Sequence, residues 1–379
     1  MKIAIDARFL GSEGAGIGKY TEKLLEKLQE VDRENVYFIL LKKSNFDLFK
    51  PKNRNFKKIL VNAGWYSLKE QLLIPFVLRK LKPNLVHFTH YNVPLFWFGK
   101  FLVTIYDITK SEFGKEASNV KNPISYLIKQ TAYSLIIRRA ISGSLKIIAG
   151  SNSTKNKLIK RFKVDEKKIT TIYAGADELY FKSEENKRSP NNNRDILKKY
   201  NIKKPFVLYV GNAFPYKNLV VILGALKLIQ REIRFVYVSS RSTFVEDLIE
   251  KAKEIGVENR LIIAGFVPDE DLAILYKLAE AFIFPSLSEG FGLPGLEAMA
   301  SKCPVICSDI PIFKEIYGEA AIYFNPKSST DLASKVNLVT SNKRLRGELI
   351  KKGIGQVRKY SWDKLGQETL KTYKQLLER

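Results

Sequence analysis

The stretch AFIFPSLSEGFGLPGLEAMAS (281–301) joins an apolar segment to a helical one through a glycine-rich bend. Its first part, AFIFPS, has the aromatic and aliphatic composition of a buried strand. Gly290, Gly292 and Pro294 then lie between Glu289 and Glu297, so the two glutamates cannot share one helix. Because proline suits the first helical position, we expect Glu289 in the loop and Glu297 in the first helical turn. The stretch therefore predicts a strand, a loop and a helix, which is the repeating unit of an α/β fold.

The same alternation of short apolar strands and helices extends along the chain. The first strand, KIAIDARFL (2–10), leads through a loop to the helix KYTEKLLEKLQEV (19–31), whose apolar residues form one stripe. Strands that alternate with helices predict parallel sheets covered on both faces. The polar stretch KSEENKRSPNNNRD (182–195) has no hydrophobic periodicity and divides the chain into two similar halves.

We therefore expect two α/β domains and a C-terminal helix that returns to the first domain. The predicted boundaries are a first domain at 1–182, a linker at 183–195, a second domain at 196–358 and the C-terminal helix at 359–379. In open sheets of this kind, ligands bind at the carboxyl ends of the strands, where loops meet helix N-termini. The strand-to-helix loops are accordingly the candidate sites.

The composition indicates a folded protein without a membrane span. Of the 379 residues, 45% are hydrophobic, and no apolar run reaches the roughly 18 residues that a spanning helix needs. Asp6 and Arg8 lie inside the first apolar segment, which argues against a signal peptide. Cys303 and Cys307 are expected in a core strand, too far apart for easy bridging, and a cytoplasmic location is predicted.

No metal site is predicted. The chain has two histidines, His87 and His90, and no cluster of cysteine and histidine with zinc-ligand spacing. Asp177, Asp269 and Asp271 have no obvious ligand arrangement.

The charge is strongly positive and unevenly distributed. The net charge is +25, and residues 51–100 contain nine basic residues and one acidic residue. Such a field favours polyanions, whether nucleic acid, an anionic membrane leaflet or a phosphorylated substrate. No nucleic-acid-binding motif accompanies the charge, and the aromatic residues lie mostly in apolar strands, so we expect no nucleic-acid partner.

The loop GSEGAGIGKY (11–20) follows the first strand and opens a helix. Gly14, Gly16 and Gly18 let the backbone approach a ligand closely, and a helix N-terminus favours an anion. The G-x-G-x-G spacing is not a dinucleotide fingerprint, and Tyr20 stands where a Walker A loop needs serine or threonine. A tight turn that binds no ligand is the alternative.

A second loop, VGNAFPYKNL (210–219), follows the first strand of the second half. Asn212 and Lys217 flank its turn, and a lysine there could bind a phosphate as a point charge. A solvated surface lysine is the alternative. Glu289 and Glu297 could accept hydrogen bonds from sugar hydroxyls while loop amides hold phosphate, although the helix dipole alone would also favour Glu297.

Together these segments resemble the retaining glycosyltransferases of family 4, which have the GT-B fold. The resemblance follows the family's order from about residue 2 to 375 and is most specific in the E-x7-E segment of EGFGLPGLEAMA. It is nearest to the mannosyltransferase-like enzymes of cell-surface polysaccharide assembly. The segments that carry it are IDAR with GIGKYT, LVHFTHYNVP, VTIYDIT, SNSTKNKL, VGNAFPYKNL, PSLSEGFGLPGLEAMASKCPVICSDIPIFKEIYGEAAIYFNP and SWDKLGQETLKTY.

The resemblance implies two facing Rossmann-like domains with parallel sheets, and a donor site in the loop that follows AFIFPS. Glu297 would hydrogen-bond the donor ribose, and Glu289 would lie beside the transferred sugar as a catalytic residue. Gly290 belongs to the same loop. The amides that would contact sugar hydroxyls and phosphate are those of Phe291, Gly292 and Leu293.

Two further positions complete the donor site that the resemblance implies. Lys217, the second catalytic residue, would neutralise the diphosphate, as would the amides around Gly16 when the domains close. Asn212 stands where many members have arginine, so Lys217 would carry more of the phosphate charge. The family needs no metal motif, and we expect metal-independent transfer without a cofactor.

On the acceptor side the resemblance implies His90, Tyr106 and Asp107. Members commonly have histidine beside the aspartate, where this chain has Tyr106. Tyrosine donates a hydrogen bond but does not become a cation near neutral pH, so acceptor choice or rate is expected to differ.

The implied activity is transfer of a hexose from a nucleotide-diphosphate sugar to a saccharide or lipid-linked acceptor. GDP-mannose is the favoured donor, and a UDP-sugar used by a glucosyl or N-acetylglucosaminyl transferase is the alternative. An epimerase of the same fold and a degenerate, non-catalytic binding protein also stay open. The basic first half suits a peripheral position at the inner membrane leaflet.

Overall fold

The computed structural model describes residues 1–11, 15–114, 122–181, 190–239 and 244–378. The chain divides into two compact units. The first unit comprises the described residues of Met1–Ile108, Val120–Ala174 and Ser361–Arg379, and the second those of Thr109–Asn119 and Gly175–Tyr360.

Each unit is built on one parallel sheet, as the alternation of strands and helices predicts. The sheet of the first unit has seven strands in the order β3-β2-β1-β4-β5-β6-β7, and that of the second has six in the order β10-β9-β8-β11-β12-β13. The strands are Lys2–Asp6 (β1), Val36–Leu41 (β2), Phe56–Leu60 (β3), Leu85–Phe88 (β4), Phe101–Ile105 (β5), Lys146–Ala149 (β6), Ile169–Thr171 (β7), Phe206–Val210 (β8), Arg234–Val238 (β9), Leu261–Gly265 (β10), Ala281–Phe284 (β11), Val305–Ser308 (β12) and Ala321–Phe324 (β13).

Helices connect the strands in the manner that parallel pairing requires. They are Ala15–Val31 (α1), Leu68–Leu81 (α2), Thr109–Phe113 (α3), Pro123–Gly143 (α4), Asn152–Phe162 (α5), Glu178–Phe181 (α6), Pro190–Lys199 (α7), Val220–Leu228 (α8), Val245–Ile255 (α9), Asp269–Leu278 (α10), Leu293–Ala300 (α11), Pro311–Tyr317 (α12), Ser329–Ser341 (α13), Lys343–Val357 (α14) and Trp362–Leu377 (α15). The segments KIAIDARFL and AFIFPS, which are expected to be strands, contain β1 and β11.

Side-chain caps set the beginnings of several helices in the first unit. Asn122 accepts hydrogen bonds from the amides of Ile124 and Ser125, and proline occupies the first position of α4. Ser67 caps α2 and Ser151 caps α5 in the same way. A cap satisfies amides that otherwise have no partner in the helix, and its loss typically costs about 1 kcal/mol.

The predicted linker at 183–195 and the predicted boundary at 182 differ from the observed arrangement. Residues 182–189 lie outside the described part of the chain, and residues 190–195 begin α7. Lys199 and Tyr200 at the end of this helix both donate to Asp271 of α10, at 2.7 and 2.8 Å. α3 also belongs to the second unit, where its Glu112 accepts a hydrogen bond of 2.6 Å from Ser288.

The C-terminal helix α15 packs on α1 in the first unit, as expected. A buried chain of hydrogen bonds holds it there. Nδ1 of His87 on β4 lies 2.6 Å from the hydroxyl of Tyr373 on α15, and Nε2 lies 2.8 Å from that of Thr104 on β5. The Thr104 hydroxyl is in turn 2.9 Å from that of Tyr20 on α1. The imidazole therefore joins the sheet to both helices on that face.

The two cysteines are free and buried, as expected. Cys307 lies on β12, whereas Cys303 lies just before the strand. Burial raises the pKa of the Cys303 thiol to about 12, so the thiol is protonated at neutral pH. Within the described residues, no helix combines the length and apolar character that crossing a membrane requires.

The buried His87 predicts a specific loss of stability in acid. Burial lowers the pKa of His87 from 6.5 to about 3. Between these values the unfolded chain binds a proton that the folded chain does not, so stability falls as the pH falls through this window. For one group the slope reaches about 1.4 kcal/mol per pH unit. Thermal unfolding of the wild type should therefore be more sensitive to acid than that of His87→Gln.

The carboxylates contribute equally to both proteins, so the difference between their slopes isolates the imidazole. Equal slopes would contradict the assignment. The chemical shift of the imidazole carbon, followed by NMR, gives a second readout if the variant folds poorly: it should not titrate near pH 6.5.

Candidate functional site

The loop after β11 ends where Gly292 adopts a left-handed conformation, with φ of 101°, and caps α11. The helix therefore begins at Leu293, one residue earlier than predicted. Pro294 is its second residue and Glu297 its fifth, so the expectation that Glu297 lies in the first turn is wrong. The helix dipole acts mainly within the first turn. It therefore explains a glutamate at position 297 less well than it would explain one in the first turn. Glu289 lies in the loop, as expected.

Tyr317, at the end of α12, packs closely against Gly292 and Gly295. The Tyr317 hydroxyl donates a hydrogen bond of 2.5 Å to the carbonyl of Gly292. A Cβ atom would lie 2.4 Å from this hydroxyl at Gly292 and 2.3 Å from it at Gly295. Both glycines therefore have a packing reason, and the bend is held in place by a tyrosine that the loop motif does not reveal.

The structure brings together Lys217 and Glu289, which come from different strand-to-helix loops. The Lys217 ammonium lies 2.6 Å from Oε1 of Glu289, and each side chain is 13% exposed. The hydroxyl of Ser286 donates to the same carboxylate oxygen at 2.8 Å. The amide of Leu287 donates to the carbonyl of Tyr216 at 2.8 Å and ties the two loops together. A cation and a carboxylate are thus held side by side at the carboxyl edge of the sheet.

Asn212 lies just beyond the end of β8, next to Gly211, which has φ of 144°. The hydroxyl of Tyr209 donates to the Asn212 carbonyl at 2.9 Å and holds the backbone there. The side-chain oxygen of Asn212 is buried and has no hydrogen-bond partner among the described residues. Buried polar atoms are rarely left unpaired, so this oxygen is suited to a ligand or a water.

Glu297 points into a pocket of tyrosines within the second unit. Its side chain is buried, and the Tyr276 hydroxyl of α10 lies 3.4 Å from Oε2. Burial and the nearby charge of Glu297 raise the pKa of both Tyr276 and Tyr180 of α6. Both phenols therefore keep their protons at neutral pH. Glu297 and Glu289 occupy different surroundings, as expected from the bend between them.

The three predicted acceptor-side residues all lie beyond carboxyl ends of the first sheet. His90 follows β4, and its Nδ1 accepts a hydrogen bond of 3.3 Å from the amide of Asn92. The His90 ring lies against those of Tyr91 and Phe9, with centroids 3.8 and 4.7 Å apart. Asp107 follows β5 and is partly buried. His90 is thus held in an aromatic cluster.

Tyr106 is a packed aromatic residue. Its ring meets that of Tyr20 edge to face at 4.7 Å, and Gly150 leaves it room, since a Cβ there would lie 2.6 Å from the ring. The hydroxyl is buried without a hydrogen-bond partner in the described ranges, and burial raises its pKa well above the usual value. Tyr106 can therefore donate a hydrogen bond but stays protonated at neutral pH.

Gly16 and Gly18 play different parts at the start of α1. A Cβ at Gly18 would lie 2.1 Å from the carbonyl oxygen of Gly11, so the backbone approach of these segments requires glycine. A Cβ at Gly16, by contrast, meets no atom of the described residues within 4 Å. Among the described residues, packing therefore explains Gly18 and gives no reason for Gly16. Gly14 lies outside the described residues.

The first unit also contains a buried ionic cluster that the sequence motifs do not indicate. Arg8 is fully buried and binds Asp6 through two parallel hydrogen bonds of 2.8 and 2.7 Å. It also donates to Oε2 of Glu70 on α2 at 3.0 Å. That oxygen accepts further hydrogen bonds from the Tyr66 amide at 3.1 Å and the Asn92 side chain at 2.9 Å.

Opposite charges explain why this cluster can be buried. Burial alone would lower the pKa of Arg8, but the carboxylates of Asp6 and Glu70 raise it above its usual value. Burial raises the pKa of Glu70 against the opposing effect of Arg8. In the sequence, the only indication of this cluster is the pair of charged residues, Asp6 and Arg8, in an otherwise apolar segment. Their partner Glu70 is 62 residues away from Arg8.

Breaking this cluster should be costly. In Arg8→Met, the buried carboxylates of Asp6 and Glu70 lose their cation, and we expect a loss of about 3–5 kcal/mol in unfolding free energy. Lys155→Met is the control, since it removes an ion pair of 2.7 Å to the exposed Glu166. The control should change stability by no more than about 1 kcal/mol. Urea unfolding followed by circular dichroism measures both, and equal losses would contradict a structural role for the cluster.

Among the described residues, no group of three histidine, cysteine, aspartate or glutamate side chains is arranged to hold a metal ion. Of the residues predicted for the donor side, Lys217, Asn212 and Glu289 lie on strand-to-helix loops of the second unit, and Glu297 lies inside α11. The residues predicted for the acceptor side lie in the first unit.

Known proteins share this sequence pattern and fold. Residues 192–356 match the family model of glycosyl transferases group 1. The O-antigen chain mannosyltransferase RfbU of Salmonella typhimurium is 25% identical over 370 residues, which cover 94% of this chain and 95% of the relative. The O-antigen chain mannosyltransferase B of Escherichia coli is 27% identical over 323 residues, covering 84% and 81%.

A solved structure has the same fold over the full length. The structure of Anabaena HepE in complex with UDP and glucose superposes with a TM-score of 0.76 at 17% identity, covering 99% of this chain and 100% of that one. The chain therefore contains a glycosyl transferases group 1 domain, at residues 192–356, and is a glycosyltransferase with the GT-B fold.

Proposed function

We propose that the chain transfers a hexose, with mannose favoured, from a nucleotide-diphosphate sugar to a saccharide or lipid-linked saccharide in cell-surface polysaccharide synthesis. The observation that carries the proposal is the Lys217–Glu289 pair at 2.6 Å, which supplies a cation for phosphate beside a carboxylate for sugar hydroxyls. The names of the two relatives, both O-antigen chain mannosyltransferases, support the sugar and the setting.

The chemistry that we propose depends on stabilising the leaving diphosphate. The bond between the sugar C1 and the diphosphate oxygen breaks while the acceptor oxygen bonds to C1 on the same face, with retention. The acceptor proton passes to the diphosphate oxygen. Lys217 and the amides of Phe291, Gly292 and Leu293 stabilise the charge that develops there, and such fixed donors usually supply a large part of catalysis.

The remaining donor residues bind rather than react. Glu297 accepts hydrogen bonds from the ribose, next to tyrosines that keep its carboxylate oriented. Asn212 offers its buried side-chain oxygen. We propose that the backbone amides around Gly16 also bind phosphate. Because the positive charge comes from Lys217 and amides, we propose that transfer requires no metal or cofactor.

GDP-mannose is the donor that we favour, since the relatives are named mannosyltransferases. A UDP-sugar is the second candidate, because HepE of the same fold was crystallised with UDP-glucose. On the acceptor side we propose His90, Tyr106 and Asp107, whose aromatic surroundings suit the apolar face of a sugar ring. The buried free cysteines accord with a cytoplasmic location.

Nucleotide binding is the first test. A ligand that binds the folded state at 100 times its Kd raises stability by about 2.7 kcal/mol, so GDP should raise the Tm more than UDP or ADP if mannose is the sugar. Selective stabilisation by UDP would favour the second candidate. Glu297→Ala should lose this shift, whereas the control Glu250→Ala, at an exposed position of α9, should keep it. If no nucleotide raises the Tm, the donor site is wrongly assigned.

Turnover is the second test. Lys217→Met and Glu289→Ala should lower kcat by about 100-fold or more, because each removes a group that acts at the reacting centre. Lys199→Met is the matched control, since Lys199 also forms a 2.7 Å ion pair, with Asp271, in the same unit. Glu289→Ala should impair turnover more than nucleotide binding. Full activity of both variants would contradict the catalytic roles.

The same assay tests the independence from metal and the degenerate alternative. Transfer should persist in a chelator, and rescue by an added divalent cation would exclude metal-independent transfer. A protein that binds nucleotide-sugar but transfers no sugar to any saccharide or lipid-linked acceptor would favour the non-catalytic alternative.

A further inference from the structure

The outer row of α2 is apolar where a helix on a water-facing surface is normally polar. Leu68, Leu72 and Phe76 are 87%, 68% and 65% exposed. Their spacing of four residues puts them on one line along the helix. The opposite side of α2 is also apolar and packs Ile74 and Leu78 into the core of the first unit. Burial in the core therefore accounts for one side of the helix and leaves the other unexplained.

Helix α4 has the same two-sided character. Its inner side contributes Tyr133, Ile137 and Ile141 to the core that also contains Ile74 and Leu78 of α2. Both helices thus pack on the same face of the sheet, as right-handed crossovers in the same direction require. The outer side of α4 exposes a second apolar row, made of Ile124, Leu127, Ile128 and Leu135.

The segment between β4 and β5 joins the two rows. It exposes Phe96 and Phe98, at 51% and 76%. The amide of Leu95 donates to the Gln71 side chain of α2 at 2.7 Å. On the other side, the guanidinium of Arg139 on α4 donates to the Trp97 carbonyl and lies 5.3 Å from the Phe98 ring. The segment is therefore fixed to both helices.

We call this the apolar surface. It consists of the exposed side chains of Leu68, Leu72, Phe76, Phe96, Phe98, Ile124, Leu127, Ile128 and Leu135. Isolated exposed apolar side chains are common on proteins, but a group of this size on one face marks an interaction site.

The charges around the apolar surface have one sign. In the segments 66–82, 95–100 and 122–146, all described, the single acidic residue is Glu70, which is buried against Arg8. The exposed basic residues of these segments are Lys69, Arg79, Lys80, Lys82, Lys100, Lys129 and Arg138. The partner must accordingly be apolar over the helices and negatively charged around them.

We propose that the apolar surface docks the chain on an anionic lipid bilayer. Apolar side chains enter the boundary between headgroups and acyl chains, while the surrounding lysines and arginines meet anionic headgroups. A second copy of this chain is a poor match, because it would bring another strongly basic surface against the first. Nucleic acid would satisfy the charge but leave the apolar side chains in water.

The apolar surface lies next to the proposed acceptor residues. This step rests on the proposed function, because it assumes that the acceptor is linked to a lipid. α2 begins just after Tyr66, whose amide is held by Glu70 in the cluster that also anchors Asn92, two residues from His90. On α4, Tyr133 meets the ring of Tyr91 edge to face at 5.4 Å. The proposed acceptor residues therefore adjoin the bilayer face, where a lipid-linked acceptor would keep its lipid in the membrane.

Co-sedimentation with vesicles tests the docking independently of transfer. The wild type should bind phosphatidylcholine vesicles that contain phosphatidylglycerol at least tenfold more strongly than vesicles of phosphatidylcholine alone, and added salt should weaken this binding. The triple variant Leu72→Ser, Phe76→Ser, Phe98→Ser should lose at least tenfold in binding. The control variant Phe266→Ser, Leu338→Ser changes exposed apolar residues of the second unit and should bind like the wild type.

Equal binding of the wild type to both kinds of vesicle, or equal binding of the wild type and the triple variant, would overturn the proposal. A dimer in solution that the triple variant abolishes would also overturn it, since a second copy would then cover the surface. The triple variant should keep its circular dichroism spectrum and its nucleotide-induced Tm shift. The Tm shift distinguishes the bilayer docking from the proposed donor site. If the wild type shows the nucleotide-induced shift but does not bind lipid, only the docking is wrong. If the wild type binds lipid but shows no shift, only the donor site is wrong.

Discussion

Parallel strands cannot be joined by tight turns, and this constraint organises both units. Each strand of the two sheets runs parallel to its neighbours, so every connection must cross back before the next strand begins. The carboxyl ends of the strands then share one edge, where loops open into helices. Lys217 and Glu289, separated by 72 residues, meet at 2.6 Å because β8 and β11 are neighbours in the sheet. Strand order thus brings residues that are far apart in the sequence to the same edge of the sheet.

Buried polar groups then fix what the sheets only place approximately. In the first unit, Arg8 holds the end of β1 to α2, and His87 holds β4 to the C-terminal helix. In the second unit, tyrosine hydroxyls make the corresponding hydrogen bonds. Tyr317 donates to the Gly292 carbonyl at the bend, and Tyr276 lies against the Glu297 carboxylate. Paired polar groups in a dry interior tolerate little displacement, since a lost partner costs more than the bond itself contributes. These buried hydrogen bonds therefore hold the loops of the candidate site in place.

Much of the fold could be predicted, because strand composition and helix periodicity are local properties. The two strands named from the sequence form as β1 and β11, and the bend at 290–294 separates Glu289 from Glu297 as expected. The start of α11 was misplaced by one residue, since the left-handed Gly292 depends on Tyr317, 25 residues away. α7 was missed because its polar sequence shows no apolar periodicity. The cluster of Arg8 with Glu70 could not be foreseen, because no local pattern pairs residues 62 positions apart. Gly16 and Gly18 look alike in sequence, and their neighbours in space alone distinguish them.

The ion pair between Lys217 and Glu289 has a consequence for selectivity. An isolated lysine at a strand end would attract any small anion, but this ammonium already has a carboxylate partner at 2.6 Å. A singly charged anion would merely replace one negative charge by another while leaving Glu289 without its cation, so it gains little. A diphosphate brings more charge and several acceptor oxygens, and the hydroxyls of an attached sugar offer Glu289 new donors in return. If the pair binds the donor as proposed, the exchange becomes favourable only when both halves of the ligand arrive together, so the Lys217–Glu289 pair would select a sugar diphosphate over phosphate or chloride.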